Sequence, residues 1–171
     1  NTVSSDVFIV GAARTPVGSL QGTLASQTAP QLGAHAIAAA LSHADINASD
    51  VDEVVMGNVV SAGLKQAPAR QAMRQAKLPD SCGATTINKV CGSGMKAAMI
   101  ATDLIRAGSA DTVVAGGMES MSNAPYLLDK ARSGLRMGHT QMLDALFTDG
   151  LEDAETGCLL YTSPSPRDDS Q

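Results

Sequence analysis

The sequence predicts an α/β fold with a largely parallel sheet. Short runs rich in Val and Ile recur between longer segments of helical periodicity, and the two alternate at the spacing of βαβ units. Of 171 residues, 44% are hydrophobic but only 2% are aromatic, so a core must come from Ala, Val, Ile, Leu and Met in closely packed helices and strands. A chain of this length can bury one sizeable core.

Taken in order, Val7–Val10 in "DVFIVGAARTP" reads as a buried strand, ended by Gly11 and followed by a loop carrying Arg14, Pro16 and Gly18. Thr28 can cap the next helix, with Gln31 completing a capping box and Pro30 in the first turn. On that helix Leu32, Ala36, Ile37, Ala40, Leu41 and Ala44 share one face, expected to pack on the sheet, while His35 falls opposite. Val54–Val60 reads as the second strand. "APARQAMRQAKL" is a short helix opened by Pro68 and stopped before Pro79.

"GATTIN" is a third strand leading to Cys91. From Gly92 to Ala107 the helical wheel leaves only a narrow polar strip of Lys96, Asp103 and Arg106, which predicts a helix buried on most of its circumference. "DTVVAGG" is a further buried strand. From Glu119 the texture becomes rich in Met, Gly, Pro and charge, and reads as a loop-rich excursion. "CLLYTSPSPRDDSQ" lacks any periodic apolar pattern and reads as a tail.

A net charge of −5 without a Lys/Arg run argues against nucleic acid or an anionic membrane as partner. No run approaches the roughly 18 apolar residues of a membrane span, and the first residues lack the pattern of a secretory signal. Cytoplasmic residence is the expectation. The three cysteines, Cys82, Cys91 and Cys158, have no metal-ligand spacing, and their odd number suits a reducing compartment. No metal is expected.

Cys91 stands between a strand and a helix, followed by Gly-Ser-Gly. A thiolate there gains from the partial positive charge of the helix N-terminus, while Gly92 and Gly94 are expected to clear space around the sulfur. Backbone N–H groups of the turn, including that of Cys91, can serve an oxyanion. This is a layout for covalent acyl transfer. Two other readings stand beside it: a buried cysteine packed as a small hydrophobe, and a dinucleotide-binding fingerprint, since "GSGMKA" satisfies G-x-G-x-x-A. The fingerprint needs an acidic residue at the end of the next strand, whereas "DTVVAGG" has Asp111 at the start and glycine at the end.

Cys82 reads as a packed residue, His35 and His139 as surface side chains, and His43 as flanking the apolar face of its helix, with neither His35 nor His43 expected to act as a base. Arg14, Arg132 and Arg136 read as solvated, and Glu119 as an acceptor of backbone N–H bonds that orients neighbouring loops.

"NKVCGSGMKAAMIA" and "AGGMESMSNAPYLL", in this order, resemble two motifs of the thiolase family. "VFIVGAARTPVGSLQGTL" and the stretch from "ARSGLRMGH" to "DGLEDA" extend the resemblance over residues 6 to about 157. Asn88, Lys89 and Val90 before the cysteine, with Met95 and Lys96 after it, resemble the acetyl-CoA C-acetyltransferase branch; fatty-acid-degrading 3-ketoacyl-CoA thiolases more often carry Arg-Leu there.

The resemblance implies a thiolase-like layered αβαβα fold, incomplete here, with a core domain over 1–118 and the start of a loop domain over 119–157. It implies that Cys91 takes an acetyl group from acetyl-CoA and passes it to a second acetyl-CoA, giving acetoacetyl-CoA and CoA, reversibly. No cofactor is implied beyond these coenzyme A thioesters. Leu151 matches a position that touches the CoA arm. The family's activating histidine, its second cysteine and its asparagine-held water lie in the C-terminal half, so this chain alone is expected to be inactive, whereas the full-length protein is expected to be a homodimer or homotetramer. Half of such a fold leaves faces uncovered, so the chain is expected to aggregate or fold only partly. Residues Cys158–Asp168 can be encoded by DNA that resembles a transposon-type sequencing adapter, so 158–171 reads as a non-native tail.

Overall fold

The computed structural model describes residues 6–159. Three parallel strands form the sheet: β1 (Glu53–Gly57), β2 (Gly83–Ile87) and β3 (Val113–Gly117), in the order β2-β1-β3. Gly57 is in register with Ile87 on one side and Gly117 on the other, so the three strands end level. Helix α1 (Ala29–Ala44) precedes β1, α2 (Pro68–Gln75) joins β1 to β2, and α3 (Ser93–Arg106) joins β2 to β3. The chain steps one way from β1 to β2 and the other way from β2 to β3. Right-handed crossovers then put α2 and α3 on opposite faces of the sheet.

The central strand shows how alternation serves both layers. Val54 and Met56 join Ile37 and Leu41 of α1, Ala69, Ala72 and Met73 of α2, and Met118 in one apolar cluster. Val55, pointing to the other face, is fully buried outside that cluster, on the side where Ala97 and Ala101 of α3 are buried. Two carboxylates tie β1 to β3 at their two ends. At the start, Asp52 accepts N–H bonds from Asp111 (2.8 Å) and Thr112 (3.0 Å), which hold its pKa below the ordinary carboxylate value.

The capping box forms: the Gln31 amide donates to Thr28 Oγ1 and the Thr28 amide to Gln31 Oε1, with Pro30 in the first turn. Helix α1, however, lies mainly against α2 and only brushes β3. Gly33 makes this possible, since a Cβ there would sit 2.6 Å from Met118 Sδ and 3.3 Å from Ala72 Cβ.

Three sequence expectations are corrected. Val7–Val10 is not a strand of the sheet, and Ile9 is 91% exposed. The segment docks on the end of α1, where Gly11 lies so close that a Cβ would meet Ala40 O at 2.7 Å, and Ala12 O lies 2.9 Å from His43 Nδ1. A strand needs a ladder partner, and these contacts take its place. The strand expected to run to Val60 ends at Gly57, because the amides of Val59 and Val60 turn away to a carboxylate of Glu119. Helix α3 buries only Ser93, Ala97 and Ala101, and Met95 is 76% exposed. It packs mainly on β1 and β3, and its face bearing Met95 and Met99 is open to water.

After β3 the chain makes a short antiparallel pair, β4 (Tyr126–Leu127) with β5 (Leu143–Asp144), and a π-helical turn, Phe147–Leu151. Cys158 and Leu159 turn back on Asp153 and Glu152; the rest of the tail, 160–171, lies outside the described residues. No described helix is long and apolar enough to cross a membrane.

Met95 and Met99, one turn apart on α3, are 76% and 53% exposed, and an apolar helix face open to water favours association. Sedimentation velocity is expected to show association that grows with concentration, and the variant Met95→Lys/Met99→Lys is expected to shift the population toward smaller species.

Candidate functional site

The carboxyl ends of parallel strands are where α/β proteins gather their chemistry, because the following loops and helix N-termini converge there. Three segments meet at this edge: Asn58–Val60 after β1, Asn88–Gly92 after β2 and Met118–Glu119 after β3.

The turn after β2 carries Cys91, which is exposed. Immediately before it, Val90 adopts φ +46°, a left-handed conformation that a β-branched residue avoids and that costs about 1–3 kcal/mol. Four bonds hold it. The Val90 amide donates to Asn88 Oδ1 (2.9 Å), the Lys89 amide to Ser93 Oγ (2.8 Å), Ser93 Oγ to Val90 O (2.6 Å), and the Gly92 amide to Lys89 O (3.0 Å). Cys91 therefore sits one residue before Gly92, the N-cap of α3, in the electrostatic field of the helix start.

The glycines of this edge differ in how closely other atoms approach them. An added Cβ at Gly92 would come no closer than 3.4 Å to Lys89 O, and one at Gly94 would meet the Gly117 backbone at 3.8 Å, so Gly94 faces β3. The demanding glycine is Gly57, unremarked in the sequence reading, where a Cβ would lie 2.5 Å from Ser93 Cβ and 2.8 Å from Ser93 C. Its bare Cα lets the first turn of α3 rest directly on the end of β1. A glycine closing an apolar strand was the available signal.

Glu119 performs the orienting part expected of it. Oε2 accepts from the Val59 amide (3.0 Å), and Oε1 accepts from the Val60 amide (3.0 Å) and Asn58 Nδ2 (2.8 Å). Burial pushes its pKa above the ordinary glutamate value, and these bonds pull the other way. Asn58, 2% exposed, also donates to Met118 O, and its Oδ1 has no partner among the described residues. With its carboxylate engaged by three N–H donors, Glu119 is not free to hold the ribose hydroxyls that a dinucleotide site requires, and Asp111 lies beyond the far end of β3.

Leu151 closes the π-helical turn and is half-buried. The preceding Gly150 lies against the loop after β1, since a Cβ there would meet Val60 Cγ2 at 3.3 Å. Cys82 is buried, donates to Gly83 O at 3.3 Å, and has its pKa raised by burial and then by Glu53 and Asp52, which suits a packed thiol. Arg14, Arg132, Arg136, His35, His43 and His139 are exposed, and no group of three metal-ligating side chains occurs among the described residues. A cleft of about 370 Å³ lies between residues 7–13, α1, α3 and β3, and Cys91 does not line it.

A family model described as thiolase, N-terminal domain, matches residues 7–162. The chain is 56% identical over 153 residues to an acetyl-CoA acetyltransferase 2 of Arabidopsis thaliana, covering 90% of this chain and 38% of that protein. It is 54% identical over 155 residues to an acetyl-CoA acetyltransferase of Schizosaccharomyces pombe, covering 91% and 39%, and 53% identical over 150 residues to one of Escherichia coli, covering 87% and 38%. The chain thus spans about two fifths of the length of these relatives.

Two substitutions probe the edge. Gly57→Ala forces a methyl into the backbone of α3 and is expected to cost about 1–3 kcal/mol, read from the urea midpoint. Glu119→Gln exchanges an acceptor for a donor facing N–H groups and is expected to cost a similar 1–3 kcal/mol or so. Because the folded-state pKa of Glu119 is raised, its contribution is fully present below the ordinary glutamate range and is lost as pH rises through the raised value. The stability gap between parent and Glu119→Gln is therefore expected to be wider in acid than at neutral pH, as measured by urea titrations across that window.

Proposed function

The chain belongs to the thiolase family through its N-terminal domain, and we propose that it supplies the nucleophile of an acetyl-CoA acetyltransferase. The observation that carries this reading is the exposed Cys91, held at the start of α3 on the carboxyl edge of a parallel sheet, within a chain more than half identical to proteins of that name.

In the first step the Cys91 thiolate attacks the carbonyl carbon of acetyl-CoA. The Sγ–C bond forms, negative charge passes onto the carbonyl oxygen, and the C–S bond to CoA breaks as the CoA thiolate leaves and takes up a proton. In the second, the methyl carbon of another acetyl-CoA, having lost a proton, attacks the acyl-enzyme thioester. A C–C bond forms, the Cys91 thiolate departs and acetoacetyl-CoA is released. The reverse direction is thiolysis. The Cys91 N–H is proposed as one donor to the oxyanion in both steps.

Leu151 is proposed to touch the CoA arm; its support is the packing of its turn on the loop after β1, at the edge that carries Cys91. The reaction calls on no cofactor other than its coenzyme A thioester substrates. The proton-transfer groups that the resemblance implies lie outside the portion matched here, so the chain alone is proposed to be inactive. Its free cysteines support a cytoplasmic home, and the full-length protein is proposed to be a homodimer or homotetramer. The engagement of Glu119 argues against the dinucleotide alternative.

Intact-mass detection of an acetyl adduct on Cys91 after incubation with acetyl-CoA tests the assignment. The chain alone and a version completed with the C-terminal portion of a relative are compared, each beside Cys91→Ser. Acetylation confined to the completed version, and lost in Cys91→Ser, is the expected outcome. A completed, folded version that takes no acetyl group would remove Cys91 from the reaction.

A further inference from the structure

Val90 is a β-branched residue held at φ +46° next to Cys91, and such a conformation persists only where its surroundings over-determine it. The side chain that does most to hold it is Ser93. Its hydroxyl accepts from the Lys89 amide at 2.8 Å and donates to Val90 O at 2.6 Å, gripping the peptide groups on both sides of the strained residue. Ser93 is the first residue of α3 and is 5% exposed, so water does not compete for these bonds. A serine is favoured one position earlier, as N-cap, where its oxygen would accept from the first helical turn. Here Gly92 occupies that position, no side chain caps the helix, and the hydroxyl reaches back into the turn. Its Cβ rests over Gly57, which fixes it from beneath.

We propose that Ser93 is a positioning residue for the nucleophile: it locks Val90 in the left-handed conformation and thereby keeps Cys91 at the start of α3. The inference rests on the nucleophile reading above. Without the hydroxyl, the Lys89 N–H loses its partner and Val90 O keeps only the Ser93 N–H (3.1 Å); Val90 relaxes toward extended backbone, and Cys91 leaves the field that favours its thiolate. The strain belongs to the residue type at 90. An asparagine there populates the left-handed region far more readily than valine and, since Val90 is about half exposed, it fits without entering the core.

The test is the rate of iodoacetamide alkylation at each cysteine of the 171-residue chain, resolved by peptide mass spectrometry. Exposed Cys158 serves as the reference thiol and buried Cys82 as the reporter of unfolding. In the parent, Cys91 is expected to react faster than Cys158. Ser93→Ala is expected to slow Cys91 by about ten-fold, the factor that strain of ordinary size carries, with Cys82 still protected. Val90→Asn/Ser93→Ala is expected to recover most of that loss. A rise at both Cys91 and Cys82 in Ser93→Ala would mean that the serine only holds the fold together, and the proposal would fall. It would fall equally if Ser93→Ala left a fast Cys91 unchanged, or if Val90→Asn gave no recovery. A parent Cys91 no faster than Cys158 would overturn the nucleophile reading together with this one, whereas the preceding outcomes leave that reading intact.

Discussion

The structure depends on one close approach: the first turn of α3 resting on the end of β1 at Gly57. No side chain intervenes there, and an added methyl would fall within 2.8 Å of the Ser93 backbone. A helix seated so low starts level with the strand ends, which brings Cys91 to the sheet's carboxyl edge and buries Ser93 beneath the turn. Gly117 of β3 continues the contact toward Gly94. A side chain at Gly57 would lift the helix and move the cysteine outward.

Around this contact the edge is stiffened by polar groups rather than apolar packing. Glu119 draws the backbone of Asn58–Val60 to the end of β3, and the Ser93 hydroxyl closes the turn that carries Cys91. A carboxylate that accepts several backbone N–H groups is an economical clamp, because each bond is charge-assisted while the group stays partly buried. The cost of its burial appears in its raised pKa. Asp52 does the same at the other end of β1 and β3, in the open, and there hydrogen bonding dominates and the pKa falls. The two carboxylates show one device under opposite balances of desolvation and bonding.

The chain's opening segment and the outer face of α3 show the limits of local pattern. "VFIV" has the composition of a buried strand, yet Ile9 stands in water and the chain docks on α1 through Gly11 and Ala12, because pairing needs a neighbour's ladder and composition alone supplies none. Likewise the apolar face of α3 is broader than the surface that covers it, and Met95 and Met99 remain exposed.

The sequence by itself determined the alternation of helices with parallel strands, the capping box at Thr28 and Gln31, the start of α2 at Pro68, the family, Cys91 at a strand-helix junction and the orienting part of Glu119. These are local or motif-borne: short-range hydrogen bonding, periodicity and a run of residue types suffice to read them. Only the tertiary structure decided that Val59 and Val60 leave the strand for Glu119, that Gly57 makes room for the first turn of α3, and that Val90 is held left-handed by a serine three residues on. Each of these depends on which atoms meet across the sheet or across a turn. Meetings of that kind are set by the approach of elements distant in sequence, and no single segment encodes them.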